Sequence, residues 1–233
     1  VWVGAGQPWT ADASGCPACG ARIVFAQPDG WACSACELHR PRLDVRLEGN
    51  RVVTPDATTV VDLALPGRAN RANAAMALTG AEVLGADREA AATAMGATDE
   101  VVGRYRTVTV DGIAVRMLLA KNPAGWLEVL DVVRPAPQPV VVAINARIAD
   151  GRDPSWLWDV PFERLAGRQV VASGERGRDL AVRLHYAEID QRYVADPVAA
   201  VRAAAATAAR IGAGRVDVVA NYTSFQILRT RLP

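Results

Sequence analysis

The chain has 233 residues, 51% of them hydrophobic, enough for one large or two modest globular cores. Its 26 basic and 25 acidic residues leave a formal charge of +1, so there is no field to hold a polyanion and nucleic acid is disfavoured as a partner. No apolar run approaches the ~20 residues that span a bilayer, and Val1 begins no charged-then-apolar leader, so the expected location is cytoplasmic.

The first residues, with Trp2 and Val3, read as a strand already under way, so the chain is expected to be a fragment of a longer protein. All four cysteines follow, in Cys16-Pro17-Ala18-Cys19 and Cys33-Ser34-Ala35-Cys36, a C-x2-C pair, thirteen residues and a second C-x2-C pair. Two knuckles of this spacing bring four thiolates tetrahedrally onto one zinc ion, Gly20 relieving the backbone behind the first. Two disulfides are the competing account, but a chain with this much core needs no staples. A metal with four protein ligands has no open position, so it would clamp the fold rather than act as a Lewis acid. Residues 13–42 carry Arg22, Arg40 and Arg42 against Asp29 and Glu37, too few charges for a nucleic-acid footprint.

Residues 43–47 and 60–65 read as short strands, with a turn at Glu48-Gly49-Asn50 after the first. In the following L-P-G-R-A-N-R-A-N-A-A-M-A-L run, Ala72, Ala75, Met76 and Val83 recur at helical spacing and Gly85 supplies a stop. Asn70 and Asn73 then fall in the opening turn, where polar and anionic ligands are held, although Asn70 equally suits the N-cap. A second helix over 87–95 is capped by Asp87, with Glu89 in its first turn. Residues 96–103 read as a connection, placing a boundary near Gly103 between units 1–103 and 104–233.

The second unit opens with a hairpin, strands 105–110 and 113–120 about Asp111-Gly112, running into Lys121-Asn122-Pro123. Strand 139–144, strand 169–173, helix 176–187, strand 191–194, helix 197–211 and strand 216–220 follow. Asp196-Pro197 and Gly212 bracket the longer helix. Alternation of this kind predicts an α/β fold with a mainly parallel sheet covered on both faces. Each strand then ends in a polar cluster: Lys121-Asn122, Asn145 through Asp153, Ser173-Gly174-Glu175-Arg176 and Asn221-Tyr222-Thr223-Ser224. Ligands of open α/β sheets sit beyond those ends, which makes Asn145, Asp150, Arg152 and Asp153 candidates, a plain solvated turn through Gly151 and Pro154 being the alternative. Trp156 and Trp158 suit packing or an interface, and His39 and His185 have no triad-like context.

The four-cysteine ribbon, P-G-R-A-N-R-A-N-A-A, L-A-K-N-P-A-G at 119–125, A-D-G-R-D-P-S-W-L-W-D at 149–159 and N-Y-T-S at 221–224, in this order, resemble the C-terminal part of the MurT family, the Mur-ligase-like subunits of lipid II isoglutaminyl synthase. The resemblance implies a Mur-ligase-like α/β chain: the end of a central domain with an inserted zinc ribbon, then a Rossmann-like C-terminal domain. It also implies an ATP- and Mg2+-dependent ligase that amidates the α-carboxylate of D-glutamate in the lipid II stem peptide at the inner membrane face. Ammonia would come from a GatD-type class I glutamine amidotransferase, the other half of a heterodimer. By the same resemblance Asp153 is the active aspartate, helping a histidine of the partner or lining the ammonia path. Asn70 and Asn73 lie near the nucleotide, and Lys121 and Asn122 lie where the C-terminal domain closes over substrate. Two departures stand out: Ala146 follows Asn145 where the family commonly has Asp, and no G-x-x-x-x-G-K followed by Ser or Thr occurs, so these residues alone should not hydrolyse ATP. An amino-acid-adding Mur or folylpolyglutamate-type ligase and a non-catalytic zinc-ribbon interaction module are the alternatives.

Overall fold

The computed structural model describes residues 1–6, 9–26, 30–133 and 137–233; Asp29, counted above among the ribbon charges, lies outside them. The backbone forms two units, Val1–Asp99 and Glu100–Pro233.

The first unit contains strands β1 (Val3–Gly4), β2 (Ile23–Ala26), β3 (Gly30–Cys33), β4 (Val45–Glu48), β5 (Arg51–Val53) and β6 (Thr58–Val60), then helices α1 (Arg68–Val83) and α2 (Arg88–Gly96). β2 and β3 pair as a separate antiparallel hairpin, and the other strands form a sheet in the order β1-β4-β5-β6. Val45, Val52 and Val61 of this unit pack against Ala74, Ala75 and Leu78 of α1 and Ala92 of α2. The strand expected over 60–65 is instead 58–60. Beyond it Val61 and Leu65 are still buried, but after the bond from Val61 N–H to the Asn50 carbonyl (2.9 Å) the chain turns toward Pro66-Gly67, so alternation persists without a ladder. The apolar face expected on α1 is also displaced, since Met76 and Val83 are 51% and 70% exposed. Ala74, Ala75, Leu78 and Thr79 face inward instead, the alanines letting the helix lie close to the sheet. Gly85, at φ +86°, ends α1 as expected, with Ala86 N–H bonded to the Ala81 carbonyl at 2.9 Å. Asp87 caps α2 through Ala90 N–H at 2.8 Å.

The second unit runs β7 (Tyr105–Val110), β8 (Ile113–Leu119), α3 (Pro123–Val132), β9 (Val140–Ala143), β10 (Val170–Ser173), α4 (Gly177–Tyr186), β11 (Gln191–Tyr193), α5 (Pro197–Ile211), β12 (Arg215–Ala220) and α6 (Tyr222–Arg231). Its six described strands lie in the order β11-β10-β9-β12-β8-β7, all parallel except the β7–β8 hairpin. Asp111 and Gly112 hold the hairpin with φ of 50° and 79°, the paired left-handed residues a two-residue turn requires. β9 lies in the interior, every residue 0% exposed. Val141 and Ala143 face α5 and α6; Val140 and Val142 face α3, α4 and the segment following β9. A strand so covered is apolar throughout because both faces are core.

Helices α3 and α6, and 3-10 turns at Ile148–Asp150, Ser155–Asp159 and Phe162–Leu165, go beyond the expected strand–helix series. The clusters at Asn122 and Asn221 are therefore helix starts rather than loops. Asn122-Pro123 is a cap-and-first-position signal, while Tyr222-Thr223-Ser224 has poor intrinsic helix preference and becomes helical by packing Phe225 and Leu228 into the core.

Gly174 follows β10 at φ +88°, where an added Cβ would stand 2.4 Å from the Ile144 carbonyl oxygen. Gly174→Ala is expected to lower stability by about 2–4 kcal/mol, from left-handed strain plus a backbone clash, measured by equilibrium denaturation.

Candidate functional site

β9 and β12 leave the sheet side by side, and Asn145, just past Ile144 at the end of β9, and Asn221, next after β12, are 4% and 0% exposed. Asn145 N–H donates to Asn221 Oδ1 at 3.1 Å, and Asn221 Nδ2 donates to the Asn145 carbonyl at 2.6 Å. The Asn145 side chain reaches the third strand end, its Oδ1 accepting from Glu175 N–H at 2.8 Å. Backbone groups that have just lost ladder partners thus find side-chain ones.

The D-G-R-D segment leaves this knot. Asp150 is 6% exposed, and its Oδ1 accepts from Thr223 N–H at 2.8 Å in the first turn of α6. Its Oδ2 accepts from Arg147 N–H at 3.3 Å. It serves a helix start whose N–H groups have no partner within the helix and whose dipole favours an anion. Asp153 is exposed, with Oδ1 accepting from Ser155 N–H at 2.9 Å. That backbone bond, aided by the Ser155 side chain, holds its carboxyl below the usual range. Arg152 is exposed beside it. Sequence position alone grouped these residues; burial separates them, Asn145 and Asp150 fixing the backbone while Asp153 offers its charge to solvent. Lys121 is exposed as well, and Asn122 Oδ1 caps α3 by accepting from Gly125 N–H at 2.8 Å.

In the first unit, Asn73 lines a cavity of about 340 Å³ with Trp31, Arg40, Arg68 and Met76. Asn70 does not cap α1, as Gly67 holds that place with φ 96°; its Nδ2 donates back to the Pro66 carbonyl at 2.7 Å. Arg68, absent from the expected site residues, stands in P-G-R-A-N-R, where it could have been noticed. Its guanidinium crosses to the Gly6 carbonyl at 3.1 Å, a bond no local pattern reveals.

The four cysteine Sγ atoms lie within 4.8 Å of one another and form no disulfide. Cys16 and Cys36 are 3.7 Å apart, Cys19 and Cys33 3.5 Å, near the ~3.8 Å edge of a tetrahedron of metal–sulfur bonds of about 2.3 Å. The first knuckle turns through Gly20, at φ +76°, whose N–H bonds the Cys16 carbonyl at 2.8 Å. In the second, Ala35 N–H donates to Cys33 Sγ at 3.4 Å. That amide leads in drawing the Cys33 thiol down to about 6. On Cys36 the Leu38 N–H acts in the same direction but is overcome by Cys33, burial and the other sulfurs, leaving it near 12. Four sulfurs this close cannot all ionise unless a cation shares their charge, so the donor set suits a soft tetrahedral metal.

Residues 119–225 match the family described as MurT ligase C-terminal. The lipid II isoglutaminyl synthase (glutamine-hydrolyzing) subunit MurT of Streptococcus pneumoniae is 31% identical over 172 residues, covering 69% of this chain and 38% of that protein. The MurT subunit of Staphylococcus aureus is 31% identical over 134 residues, 55% of this chain and 31% of its own length. The chain therefore spans about a third of the length of these relatives. Among solved structures, a pseudomurein peptide ligase type C from Methanothermus fervidus superposes with a TM-score of 0.66 at 18% identity, covering 93% of this chain and 48% of that one. A MurF structure from Acinetobacter baumannii gives 0.61 at 16% identity, over 89% and 45%. At such identities the likeness concerns the fold, which is Mur-ligase-like α/β.

Cys33→Ser is expected to abolish stoichiometric metal binding, because it leaves three of the four converging sulfurs and a serine hydroxyl is a poor ligand for a soft metal. Metal content by plasma mass spectrometry checks this.

Proposed function

Because residues 119–225 belong to the MurT ligase C-terminal family, we propose that the protein is the ligase subunit of a glutamine-dependent amidotransferase acting on the lipid II stem peptide. The α-carboxylate of D-glutamate attacks the γ-phosphorus of Mg2+-bound ATP and releases ADP. Ammonia then attacks the acyl phosphate carbon, expelling phosphate and losing a proton to leave D-isoglutamine. Asn70 and Asn73 serve the nucleotide, Lys121 and Asn122 the closure over substrate, and zinc on Cys16, Cys19, Cys33 and Cys36 is structural. A G-x-x-x-x-G-K phosphate-binding loop is not among these residues. No helix among the described residues is long and apolar enough to cross a membrane, and the reaction is assigned to the cytoplasmic face.

Ammonia comes from a GatD-type class I glutaminase docked on the C-terminal unit, with Asp153 orienting and stabilising a histidine of its Cys-His pair. A carboxylate does this as an acceptor, without taking up the proton. One observation carries the reading: of the two aspartates in D-G-R-D, Asp150 is buried on α6, whereas Asp153 is exposed, its carboxylate bonded locally to Ser155.

The test is Asp153→Asn in the complete protein assembled with its glutaminase. Glutamine-dependent amidation is expected to fall at least ~10²-fold, as when an orienting carboxylate is neutralised, with metal content and complex formation retained. Undiminished amidation overturns the role of Asp153. Amino-acid addition by the native protein without glutamine or a partner supports the amino-acid-adding ligase instead.

A further inference from the structure

A buried charge outside the D-G-R-D segment has no part in the chemistry above. Arg183, on α4, is 6% exposed. Its Nη2 donates to the Val160 carbonyl at 2.7 Å and to Glu163 Oε1 at 2.8 Å. The guanidinium carbon lies 5.7 Å from the centre of the Trp158 ring and 5.6 Å from that of Phe162. Trp158, Val160, Phe162 and Glu163 all belong to the irregular stretch that begins beside Asp153 and contains two of the 3-10 turns. A guanidinium is costly to bury, and removing it from its partners leaves directional groups unsatisfied.

Between β9 and β10 this stretch has no strand to hold it. Leu157, Val160, Phe162 and Leu165 anchor it by apolar burial, but such packing is non-directional and fixes depth better than orientation. Directional bonds stand on either side of Asp153: Asp150 to α6 upstream and Arg183 from α4 downstream. Trp158, 56% exposed, is held between Arg183 and Tyr186, whose ring centre is 5.6 Å away in an edge-on arrangement.

We infer that Arg183 is a positioning residue for the glutaminase reaction, fixing the 155–163 segment so that Asp153 is presented in one orientation to the partner's histidine. This rests on the role proposed for Asp153. Arginine suits the task because its planar fork can bond a carbonyl and a carboxylate together while stacking on rings, which a lysine ammonium cannot reproduce. Orienting carboxylates tolerate little displacement, and an error of about 1 Å can cost on the order of 10²-fold in rate.

The experiment measures glutamate release from glutamine by the complete protein in its glutaminase complex, with assembly followed by size-exclusion chromatography. Arg183→Leu keeps much of the volume without the directional bonds. It is expected to lower kcat about 10- to 100-fold with KM for glutamine and assembly unchanged, and Arg183→Lys is expected to recover only part of the loss. A loss of folding would instead remove the complex. If Arg183→Leu does not assemble, Arg183→Lys and Glu163→Gln decide: lowered kcat in an intact complex supports the inference, and unchanged kcat in both overturns it. Wild-type kcat in an assembled Arg183→Leu complex also overturns it. Asp153→Asn is run in parallel. If that variant is undiminished, the proposed role of Asp153 fails and the inference fails with it; if it loses activity while Arg183→Leu does not, only the inference falls.

Discussion

The second unit depends on the pair of hydrogen bonds between Asn145 and Asn221, 76 residues apart in the chain. Where two parallel strands stop, the next N–H and C=O groups lose their ladder partners, and inside a protein unpaired groups cost ~1–3 kcal/mol each. A carboxamide carries both donor and acceptor, so Asn221 can satisfy the N–H and the C=O of Asn145, while the free Asn145 oxygen takes Glu175 N–H. Three strand ends are thereby locked into one edge. Gly174 completes the arrangement: only a residue without Cβ lets the backbone pass so near the Ile144 carbonyl.

Everything that projects from the edge inherits this rigidity. D-G-R-D starts a few residues beyond Asn145, and its first aspartate seats on the first turn of α6, whose cap is Asn221. One asparagine therefore fixes both the origin of the segment and the helix end that receives it. Between this anchor and the guanidinium of Arg183, Asp153 has no long-range bond among the described residues, and its neighbour Ser155 draws its carboxyl further below the usual range. Exposing an ionised carboxylate in a fixed place is the physical requirement for any acceptor role toward a second protein.

The cysteine ribbon uses a different logic. Its hairpin of β2 and β3, extended by a bridge from Ala32 to His39, is too small for a core of its own, so the four sulfurs are central to its cohesion. Their separations and the opposed displacements of Cys33 and Cys36 express one constraint, that converging thiolates require a shared cation. The arginine- and asparagine-lined cavity at the start of α1 belongs to the same unit.

Local pattern alone determined a good deal. The cysteine spacing fixed which side chains could converge, Asp111-Gly112 fixed the hairpin, and Asp196-Pro197 with Gly212 fixed α5 at both ends, because each depends on geometry within a few residues. The apolar run of β9 announced a strand with core on both faces. The sequence also placed Asn145, Asp150 and Asp153 at one sheet edge but could not rank them. Tertiary structure decided that Asp150 is buried and Asp153 bare, since the N–H that claims Asp150 lies 73 residues away. It likewise decided which face of the alanine-rich α1 turns inward, that Tyr222-Thr223-Ser224 is helical, and that Arg183 is buried among rings. In each case the deciding partner lies outside the reach of the 2.0- and 3.6-residue periods that local pattern records.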